Sequence, residues 1–271
     1  MSARSYIAAT AACGIVLLAT PALAKTCGNT GAGFQSWVQG FAAQARKQGI
    51  SQKTLNRALS GVTYNPRLSQ LDRGQRSFKL SFEKFYKRRA SAYTKKRARA
   101  RLKRHARLLS GIEKRDGVDR AVIVTIWGLE TDFGRGGGKL SIIRSLATLA
   151  YDCRRAKFFR NELMSALRIV QRGDMTPAQL RGGWAGEIGQ AQFLASSYLK
   201  YAVDYDGNGR RDLIRSVPDV LASIANFLRA HGWKRGQKWL PGTANYAVLR
   251  DWNRAQVYYR TIAVMADKLT R

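Results

Sequence analysis

One carboxylic acid closes an almost entirely apolar run of the chain. Glu130 follows the segment Val122-Ile-Val-Thr-Ile-Trp-Gly-Leu129, and on a helix it shares a face with Val122 and Ile126. Burial removes water from such a carboxyl group and raises its pKa. A carboxyl group that stays protonated near neutral pH can act as the general acid that breaks a glycosidic bond. Pairing of Glu130 with one of the many arginines is the alternative interpretation.

Glycoside cleavage by water usually needs a second carboxylate. Asp132 lies two residues after Glu130, which places it on the opposite side of a helix. Glu187, in the segment Gly186-Glu187-Ile188-Gly189, is the other candidate. If neither faces Glu130, the reaction must proceed with one carboxyl group, as it does when a sugar's own C6 hydroxyl is the nucleophile. The sequence leaves these routes open.

A second group of residues is typical of a calcium-binding loop. The oxygen donors in the spacing of an EF-hand loop are Asp204, Asp206, Asn208, Asp212 and the carbonyl of Arg210. Gly209 falls where that loop turns sharply, but the last ligand position is Arg215, which cannot bind a cation. Asp219 would therefore supply the final carboxylate from a longer loop. We expect a structural Ca²⁺ ion here, and a metal-free Asx-turn loop is the alternative.

The N-terminus is typical of a secretory signal peptide. Residues 1–24 combine the basic Arg4, an apolar run from Ile7 to Thr20 and the small-residue site Ala22-Leu23-Ala24. We predict export to the periplasm with cleavage after Ala24, as a soluble or as a wall- or membrane-associated protein. The alternative is an uncleaved membrane anchor. Residues 25–33 are predicted to form a flexible arm.

Cleavage at this site would leave two of the three cysteines. Cys13 belongs to the signal, so Cys27 and Cys153 remain. Two cysteines in an exported chain fit one disulfide, and two unpaired thiols are the alternative. No histidine and cysteine cluster suggests zinc.

The charge of the chain points to an acidic partner. Its 271 residues hold 48 Lys plus Arg and 17 Asp plus Glu, a formal net charge of +31, and the 45% of hydrophobic residues excludes a disordered basic tail. Nucleic acid, an anionic membrane or an acidic polymer would each suit this charge. Export argues against nucleic acid, so we expect none as a partner. The bacterial cell wall, whose stem peptides carry carboxylates, is the acidic polymer outside the cytoplasm.

Helical periodicity dominates the chain, and strand patterns are weak. Ser51 and Asp119 are predicted to cap helices, and the segment Gly61 to Arg73 is predicted to be an extended connection. Residues 76–110 are expected to form two amphipathic helices with basic outer faces. Further helices are predicted at about 142–151, 157–172, 191–203, 217–231 and 254–269. The fold class is mainly α.

Several motifs, in order along the chain, resemble one family. They are Ile126-Trp-Gly-Leu-Glu130-Thr-Asp-Phe-Gly134, Arg144-Ser-Leu-Ala-Thr-Leu-Ala-Tyr-Asp152, Trp184-Ala-Gly-Glu-Ile-Gly-Gln-Ala-Gln-Phe193, Tyr201-Ala-Val-Asp-Tyr-Asp-Gly-Asn-Gly209, Val217-Pro-Asp-Val-Leu-Ala-Ser-Ile-Ala-Asn226 and Trp252-Asn253. Together they resemble the lytic murein transglycosylase B family from about Phe34 to the C-terminus.

The resemblance implies a lysozyme-like helical core of the goose-lysozyme type, with an additional N-terminal α segment and little β structure. Residues 34–271 would be the catalytic domain, divided into a basic helical subregion, 34–115, and the core, 116–271. The implied activity is cleavage of the MurNAc–GlcNAc β-1,4 bond of peptidoglycan with formation of 1,6-anhydro-MurNAc. Glu130 matches the single catalytic acid and base. No cofactor is required for this chemistry.

The resemblance also implies substrate contacts. The matching positions are Gln192, Tyr198, Asn253, Tyr258, Trp252 and the basic pair Arg154 and Arg155. Many members carry Ser where this chain has Gly183, so either Glu187 or a backbone amide would have to replace that contact with an N-acetyl sugar. The residues themselves also allow helix capping by Gln192 and Asn253. They further allow core packing of both tyrosines and plain solvation of the arginines.

Three other functions remain open on the sequence alone. A hydrolytic muramidase would use Glu187 or Asp132 as its second carboxylate, a wall-binding protein would be non-catalytic, and a basic nucleic-acid binder would lack lytic activity. The expected partners are peptidoglycan glycan strands and cell-wall assembly machinery, and we expect a monomer.

Overall fold

Side-chain caps define where most of the helices begin. In the described residues, eight helices start at a Ser, Thr, Asn or Asp side chain that accepts a hydrogen bond from a backbone N–H of the first turn. Ser51 and Asp119 are two of these caps, as the sequence predicts. The starts of these eight helices are therefore set by local sequence rather than by distant packing.

The computed structural model describes residues 27–74 and 80–271. The predicted signal peptide, its cleavage site at Ala24 and the first two arm residues lie outside them. The elements, in chain order, are α1 (Phe34–Lys47), α2 (Gln52–Leu59), α3 (Pro66–Arg73), α4 (Phe82–Arg89), α5 (Ala92–Arg104), α6 (Ala106–Asp116), α7 (Arg120–Thr131), β1 (Leu140–Ser141), α8 (Ile142–Tyr151), α9 (Ala156–Arg172), β2 (Arg181–Gly182), α10 (Ala195–Tyr201), α11 (Val217–Ala230), α12 (Ala244–Trp252) and α13 (Gln256–Thr270). The mainly α fold class is confirmed.

The apolar helix α7 lies at the centre of these elements. Every residue from Ala121 to Leu129 is buried, and α7 packs against α13, α5, α11 and α6. A helix that is apolar on all sides must be surrounded by other elements, which explains this position. The strands β1 and β2 form one short antiparallel pair in which Leu140 lies opposite Gly182.

Three segments differ from the sequence-based prediction. The segment 61–73, predicted to be extended, contains α3, because Asn65 caps a helix whose first residue is Pro66 and proline suits that position. The basic stretch forms three helices rather than two, since the chain bends at Ala90 and at His105. The helix α12, capped by Thr243, has no predicted counterpart.

The N-terminal arm is joined to the core next to α9. Cys27 and Cys153 form a disulfide that closes a loop of 126 residues. Beside it, Asp72 of α3 accepts hydrogen bonds from Arg154 and Arg155, and Arg73 pairs with Asp152 at 2.7 Å. The first helices are thus attached to the core by one covalent bond and by two buried carboxylates with basic partners.

Removal of this disulfide is expected to lower stability without changing the fold. A crosslink across so long a loop restricts the unfolded chain, so the double substitution Cys27→Ser and Cys153→Ser should reduce the free energy of unfolding by about 2–5 kcal/mol. Urea denaturation measures the change. A reducing agent should shift the wild-type midpoint and leave the double variant unaffected. An unchanged midpoint in the double variant would contradict the expectation.

Among the described residues, no helix combines the length and apolar character needed to cross a membrane.

Candidate active site

Glu130 lies at the C-terminal end of α7, where the chain turns sharply. Asp132, Phe133 and Gly134 all have positive φ, at 50°, 59° and 87°. The described chain contains three non-glycine residues with positive φ, namely these first two and Gln192, and all three lie near Glu130 or its cleft. Such backbone conformations are disfavoured for residues with a Cβ and tend to occur at functional sites.

Gln190 fixes the end of α7 to the loop that follows β2. Its side-chain oxygen accepts a hydrogen bond from Trp127 Nε1 at 2.9 Å, and its carbonyl accepts one from the Thr131 hydroxyl at 2.8 Å. Its side-chain amide donates to the Ile214 carbonyl at 2.9 Å. Because Gln190 is buried, these bonds fix the end of α7 relative to the loop that follows β2.

Two side chains from the C-terminal helices donate to one oxygen of Glu130. Trp252 Nε1 and the Tyr258 hydroxyl both lie 2.7 Å from Glu130 Oε1. The Trp252 ring is packed between Phe193, at 5.6 Å, and Phe227, at 5.0 Å between centroids. Because Oε1 already accepts two hydrogen bonds, the proton of a neutral Glu130 belongs on Oε2.

Burial raises the pKa of Glu130. Loss of water is the largest cause, and the negative charge of Glu187 adds to it. The hydrogen bonds from Trp252 and Tyr258 and the positive charge of Arg89 act in the opposite direction but do not outweigh burial. The sequence-based interpretation of Glu130 as a desolvated acid therefore agrees with its surroundings. The groups that donate hydrogen bonds to Glu130 are an indole and a phenol, and Arg89 acts on it through its positive charge.

Arg89 reaches this site from α4. It donates to the Leu129 carbonyl and hydrogen-bonds the Tyr258 hydroxyl, which in turn donates to Glu130. Burial, with the adjoining Glu130 charge, raises the pKa of Tyr258 well above its ordinary value, so Tyr258 stays a neutral donor. The sequence analysis missed Arg89, because nothing in its spacing separates it from the other bases of the same run.

Glu130 opens into a cleft of about 450 Å³. The residues that line it are Arg89, Glu130, Glu187, Gln192, Phe193, Leu194, Ser197, Phe227, Asp251, Trp252, Asn253 and Tyr258. Five predicted substrate positions thus meet around Glu130: Glu187, Gln192, Trp252, Asn253 and Tyr258. Asn253 also accepts a hydrogen bond from Ala255 N at 3.0 Å, but α13 begins after Ala255 without a side-chain cap, so the predicted capping of the last helix by Asn253 is wrong.

Glu187 occupies the space beside Gly183. A Cβ placed on Gly183 would lie 2.2 Å from Glu187 Oε2 and 3.2 Å from Gln192 Oε1. Gln192 directs its amide nitrogen to the carbonyls of Gly137 and Gly189, at 3.1 and 2.7 Å. Two hydrogen-bond acceptors therefore converge where a side chain at position 183 would otherwise lie. Burial raises the pKa of Glu187, and the charge of Arg155 partly offsets this.

The raised pKa of Glu130 predicts how stability depends on pH. Below the ordinary glutamate pKa of about 4.3, Glu130 is protonated in both the folded and the unfolded chain. Above it, the unfolded chain releases the proton first, so this residue lowers the free energy of unfolding as pH rises through the raised pKa.

The neutral variant Glu130→Gln should therefore melt at a higher temperature than the wild type at neutral pH. The difference should disappear in acid. Differential scanning calorimetry at several pH values measures it, with Glu83→Gln, on the exposed face of α4, as a control. A variant that is less stable at every pH would contradict the raised pKa.

Four predicted residues lie elsewhere or have other partners. Tyr198 was expected to contact sugar, but it is 0% exposed and its hydroxyl donates to the Arg211 carbonyl at 2.5 Å, so that prediction is wrong. The helix α10 packs against α9 and α11, and this packing puts Tyr198 in the core. Asp132 pairs with Arg97 and is absent from the cleft lining. Arg154 and Arg155 are part-exposed beside the disulfide, where both bind Asp72.

The predicted calcium loop brings three carboxylates together. Single oxygens of Asp204, Asp206 and Asp219 lie within 4.8 Å of one another. Asp219 is 0% exposed, and burial together with the charge of Asp206 raises its pKa. Asp212, predicted as a ligand, instead accepts hydrogen bonds from two backbone N–H groups of the following turn, at 2.9 Å each. Three close carboxylates, one of them buried, form a donor set that suits Ca²⁺.

The loop backbone shapes this acidic group. Asp204 accepts hydrogen bonds from the N–H groups of residues 207, 208 and 209, and Asn208 accepts one from Arg210 N at 3.0 Å. Asp219 accepts bonds from Tyr205 N and Asp212 N, at 2.8 Å each. Asp219, on the first turn of α11, therefore reaches back to the start of the loop, as the longer loop requires.

Comparison with known proteins decides the family. The model of the family described as "Transglycosylase SLT domain" matches residues 33–243, well over half of the chain. The chain belongs to this transglycosylase family. The membrane-bound lytic murein transglycosylase B of Escherichia coli K12 is 42% identical over 123 residues, which are 45% of this chain and 34% of that protein. The match thus spans about a third of the length of that curated relative.

Solved structures share the fold of this transglycosylase family member. SltB3 from Pseudomonas aeruginosa, in complex with NAG-NAM-pentapeptide, superposes with a TM-score of 0.83 at 31% identity, over 88% of this chain and 79% of that one. The E. coli lytic transglycosylase Slt35, in complex with calcium, gives 0.76 at 23% identity, over 86% and 92%. The predicted family and the lysozyme-like helical fold are both confirmed.

Proposed function

We propose that this protein is a peptidoglycan lytic transglycosylase. It would cleave the MurNAc–GlcNAc β-1,4 bond and form 1,6-anhydro-MurNAc. The observation that carries the proposal is the desolvated carboxyl group of Glu130, held by Trp252 and Tyr258 in an open cleft. Family membership and the named complex of SltB3 with a peptidoglycan fragment support the same substrate class.

Glu130 begins the reaction as an acid. Its Oε2 proton is transferred to the glycosidic oxygen as the bond from that oxygen to C1 breaks, so GlcNAc leaves with a free hydroxyl group. The neutral donors Trp252 and Tyr258 remain on Oε1 throughout and stabilise the carboxylate that forms. The burial of Glu130 raises its pKa and so favours the protonated form that this step requires.

Glu130 then acts as the base. Its carboxylate takes the proton of the MurNAc C6 hydroxyl while that oxygen bonds to C1, and the carboxyl group returns to its starting state. No water is consumed, and no cofactor takes part. This route needs one carboxyl group, which agrees with the pairing of Asp132 to Arg97 away from the cleft.

The cleft supplies the contacts that hold the sugar. We assign substrate binding to Gln192, Trp252, Asn253, Tyr258 and Glu187, all of which line the cleft. The fixed orientation of the Gln192 amide leaves its Oε1 as an acceptor beside Gly183. An acetamido N–H is the donor on N-acetylated sugars that such an acceptor would bind.

Arg154 and Arg155 are assigned to stem-peptide carboxylates. Their side chains are 45% and 37% exposed although each already binds Asp72, so both retain N–H groups that face solvent. The positive charge of Arg155 lowers the pKa of Glu187 in the cleft, which supports an assignment of this basic pair to substrate near Glu187.

Product analysis tests the reaction. Mass spectrometry of purified sacculi after digestion should find 1,6-anhydro-MurNAc ends. Reducing MurNAc ends would instead show hydrolysis with Glu187 as the second carboxylate, since Glu187 also lines the cleft. Sacculi that bind the protein but release nothing would show a non-catalytic wall-binding protein.

We also propose a structural Ca²⁺ ion bound by Asp204, Asp206, Asn208, Arg210 and Asp219. Neutralising three close carboxylates would stabilise the folded state, so Ca²⁺ should raise the melting temperature and release heat in a calorimetric titration. Asp206→Asn, at an exposed position, should weaken both effects, whereas the distant control Asp267→Asn should not. No heat and no melting shift with Ca²⁺ would contradict this site.

The proposed setting is the periplasm after removal of residues 1–24. The disulfide between Cys27 and Cys153 supports an oxidising compartment. Peptidoglycan strands are the proposed partner, and recruitment by cell-wall assembly machinery and a monomeric state stay predictions.

A further inference from the structure

The helices beside the cleft carry an unusual run of positive charge. From Lys84 to Arg107 the sequence holds twelve Lys and Arg and no Asp or Glu. In the described residues, Arg97 is the member of this run with a carboxylate partner, Asp132. Like charges this close repel one another and lower stability, so their concentration on α4, α5 and the start of α6 calls for an external anion.

Six of these cations form two exposed stripes, which we call the basic face. On α4, Lys84, Lys87 and Arg88 follow helical spacing, and on α5 the same is true of Lys96, Arg99 and Lys103. All six side chains are exposed. The opposite sides of both helices, with Phe85 and Ala98, are buried against the core.

The surrounding contacts show how the fold accommodates this charge. The ammonium groups of Lys95 and Lys268 lie over the Tyr86 ring, at 5.9 and 5.3 Å from its centroid. Arg260 lies 3.9 Å from the centroid of Phe82, and Arg99 donates to the Lys268 carbonyl at 3.0 Å. These cations therefore contact aromatic rings and backbone oxygens rather than carboxylates, and α13 extends the positive surface.

The basic face adjoins the cleft. Arg89, the last residue of α4, lines the cleft and donates to the Leu129 carbonyl next to Glu130. The helix α4 packs on α13, which carries Tyr258. A polymer that runs out of the cleft on this side must therefore pass beside α4.

We propose that the basic face binds stem-peptide carboxylates of peptidoglycan strands that lie outside the cleft. This inference rests on the proposed function for its choice of polymer. Peptidoglycan is a continuous polyanion, and the six exposed cations match repeated carboxylates rather than a single ion. The face would hold the enzyme on the wall between cleavage events and raise the local concentration of scissile bonds.

The composition of the face favours a carboxylate polymer over a lipid surface. A membrane-binding helix inserts an apolar side into the lipid, but the apolar residues of α4 and α5 are turned into the core. In the described part of these two helices, Tyr93, at 63%, is the one exposed large hydrophobic residue. Binding should therefore be electrostatic and should weaken steeply with salt.

Two matched variants test the proposal. The face variant carries Lys84→Gln, Lys87→Gln, Arg88→Gln, Lys96→Gln, Arg99→Gln and Lys103→Gln. The control variant removes the same number of lysines and arginines from exposed positions on other elements: Lys47→Gln, Lys53→Gln, Arg57→Gln, Arg168→Gln, Lys234→Gln and Lys238→Gln. Both also carry Glu130→Gln, so that binding to insoluble sacculi is measured without turnover.

The face variant should bind sacculi at least about tenfold more weakly than the parent at low salt, with a flatter salt dependence, and the control variant should bind within about twofold. Sacculi whose carboxyl groups have been converted to amides should bind the parent as weakly as untreated sacculi bind the face variant. With Glu130 restored, the face variant should cleave a short soluble glycan that fits the cleft at the wild-type rate. Its melting temperature should not fall, because repulsion has been removed.

Several results would overturn the proposal. Equal losses in both variants would show that net charge, not this face, determines binding. Undiminished binding by the face variant would show that the basic face does not bind sacculi. Undiminished binding of the parent to amidated sacculi would show that carboxylates are not the ligand. If the face variant lost binding to anionic phosphatidylglycerol vesicles but still bound sacculi like the parent, the basic face would be a membrane-binding surface instead. The binding test needs no turnover, so its result is separate from that of the product analysis. An absence of anhydro products would reject the proposed function, whereas the binding of the two variants would still decide whether the basic face holds sacculi.

Discussion

Glu130→Gln is expected to abolish release of soluble fragments from sacculi while leaving the fold intact. The substitution keeps the shape of the side chain and an oxygen that can accept from Trp252 and Tyr258. It removes the proton donor, and general acid–base catalysis by one side chain typically contributes about 10²–10⁴-fold. Chromatography of released fragments measures the rate. The variant should still bind sacculi.

The exposed Glu83→Gln provides the matched control for this loss. It makes the same Glu-to-Gln replacement on α4 and should cleave sacculi at the wild-type rate. Residual activity of Glu130→Gln above about one tenth of the wild-type rate would mean that another group supplies the proton. Glu187, across the same cleft, would then be the first residue to replace.

Two adjacent glycines are expected to respond very differently to alanine. At Gly182, a Cβ would lie 1.8 Å from the Glu187 carbonyl oxygen, a backbone atom that cannot move away on its own. Gly182→Ala should therefore displace the loop after β2 and cost about 3 kcal/mol or more. For a protein of this size that lowers the melting temperature by roughly 6 °C or more.

At Gly183, the conflict is with the end of a flexible side chain. A Cβ would lie 2.2 Å from Glu187 Oε2, which can rotate away only by giving up its hydrogen bond from Ala185 N, at 3.0 Å. Gly183→Ala should therefore lower the melting temperature only slightly and raise KM for short glycans about tenfold, because the displaced carboxylate no longer binds substrate. In a double-mutant cycle with Glu187→Ala, the two losses should not add.

Gly40 serves as the control for both glycines. It lies within α1 with no other atom close to its Cβ position, so Gly40→Ala should stabilise the protein slightly through better helix propensity. A Gly182→Ala variant as stable as wild type would contradict the packing of this loop. Additive losses from Gly183→Ala and Glu187→Ala would contradict displacement of Glu187 as the cause.

Glu130 can be identified from the sequence because the pattern that marks it lies in the neighbouring residues. Glu130 ends a run in which every residue from Val122 to Leu129 except Thr125 is apolar, and such a run must be buried and must end at a surface or a cleft. Helix caps such as Ser51 and Asp119 are equally local, since one side chain contacts a backbone N–H two or three residues away. The position of α7 and the start of most helices follow from these short-range features.

The residues around the acid depend on distant packing instead. Tyr198 and Tyr258 both fit apolar helical stripes, yet one donates to the Arg211 carbonyl in the core and the other to Glu130 in the cleft. Arg89 has the same local sequence as the cations of the basic face. Only the packing of α4 against α13 places it beside Leu129. These roles are set by contacts between elements far apart in the chain.

The titration of Glu130 itself tests the account most directly. Carboxyl ¹³C NMR of the labelled protein, with the Glu130 resonance identified by its absence from Glu130→Gln, gives the pKa of this group. We expect a midpoint clearly above the ordinary glutamate value of about 4.3, because burial outweighs the hydrogen bonds from Trp252 and Tyr258. A midpoint at or below that value would mean that Glu130 is ionised when the substrate binds, and it could not then be the acid that breaks the glycosidic bond.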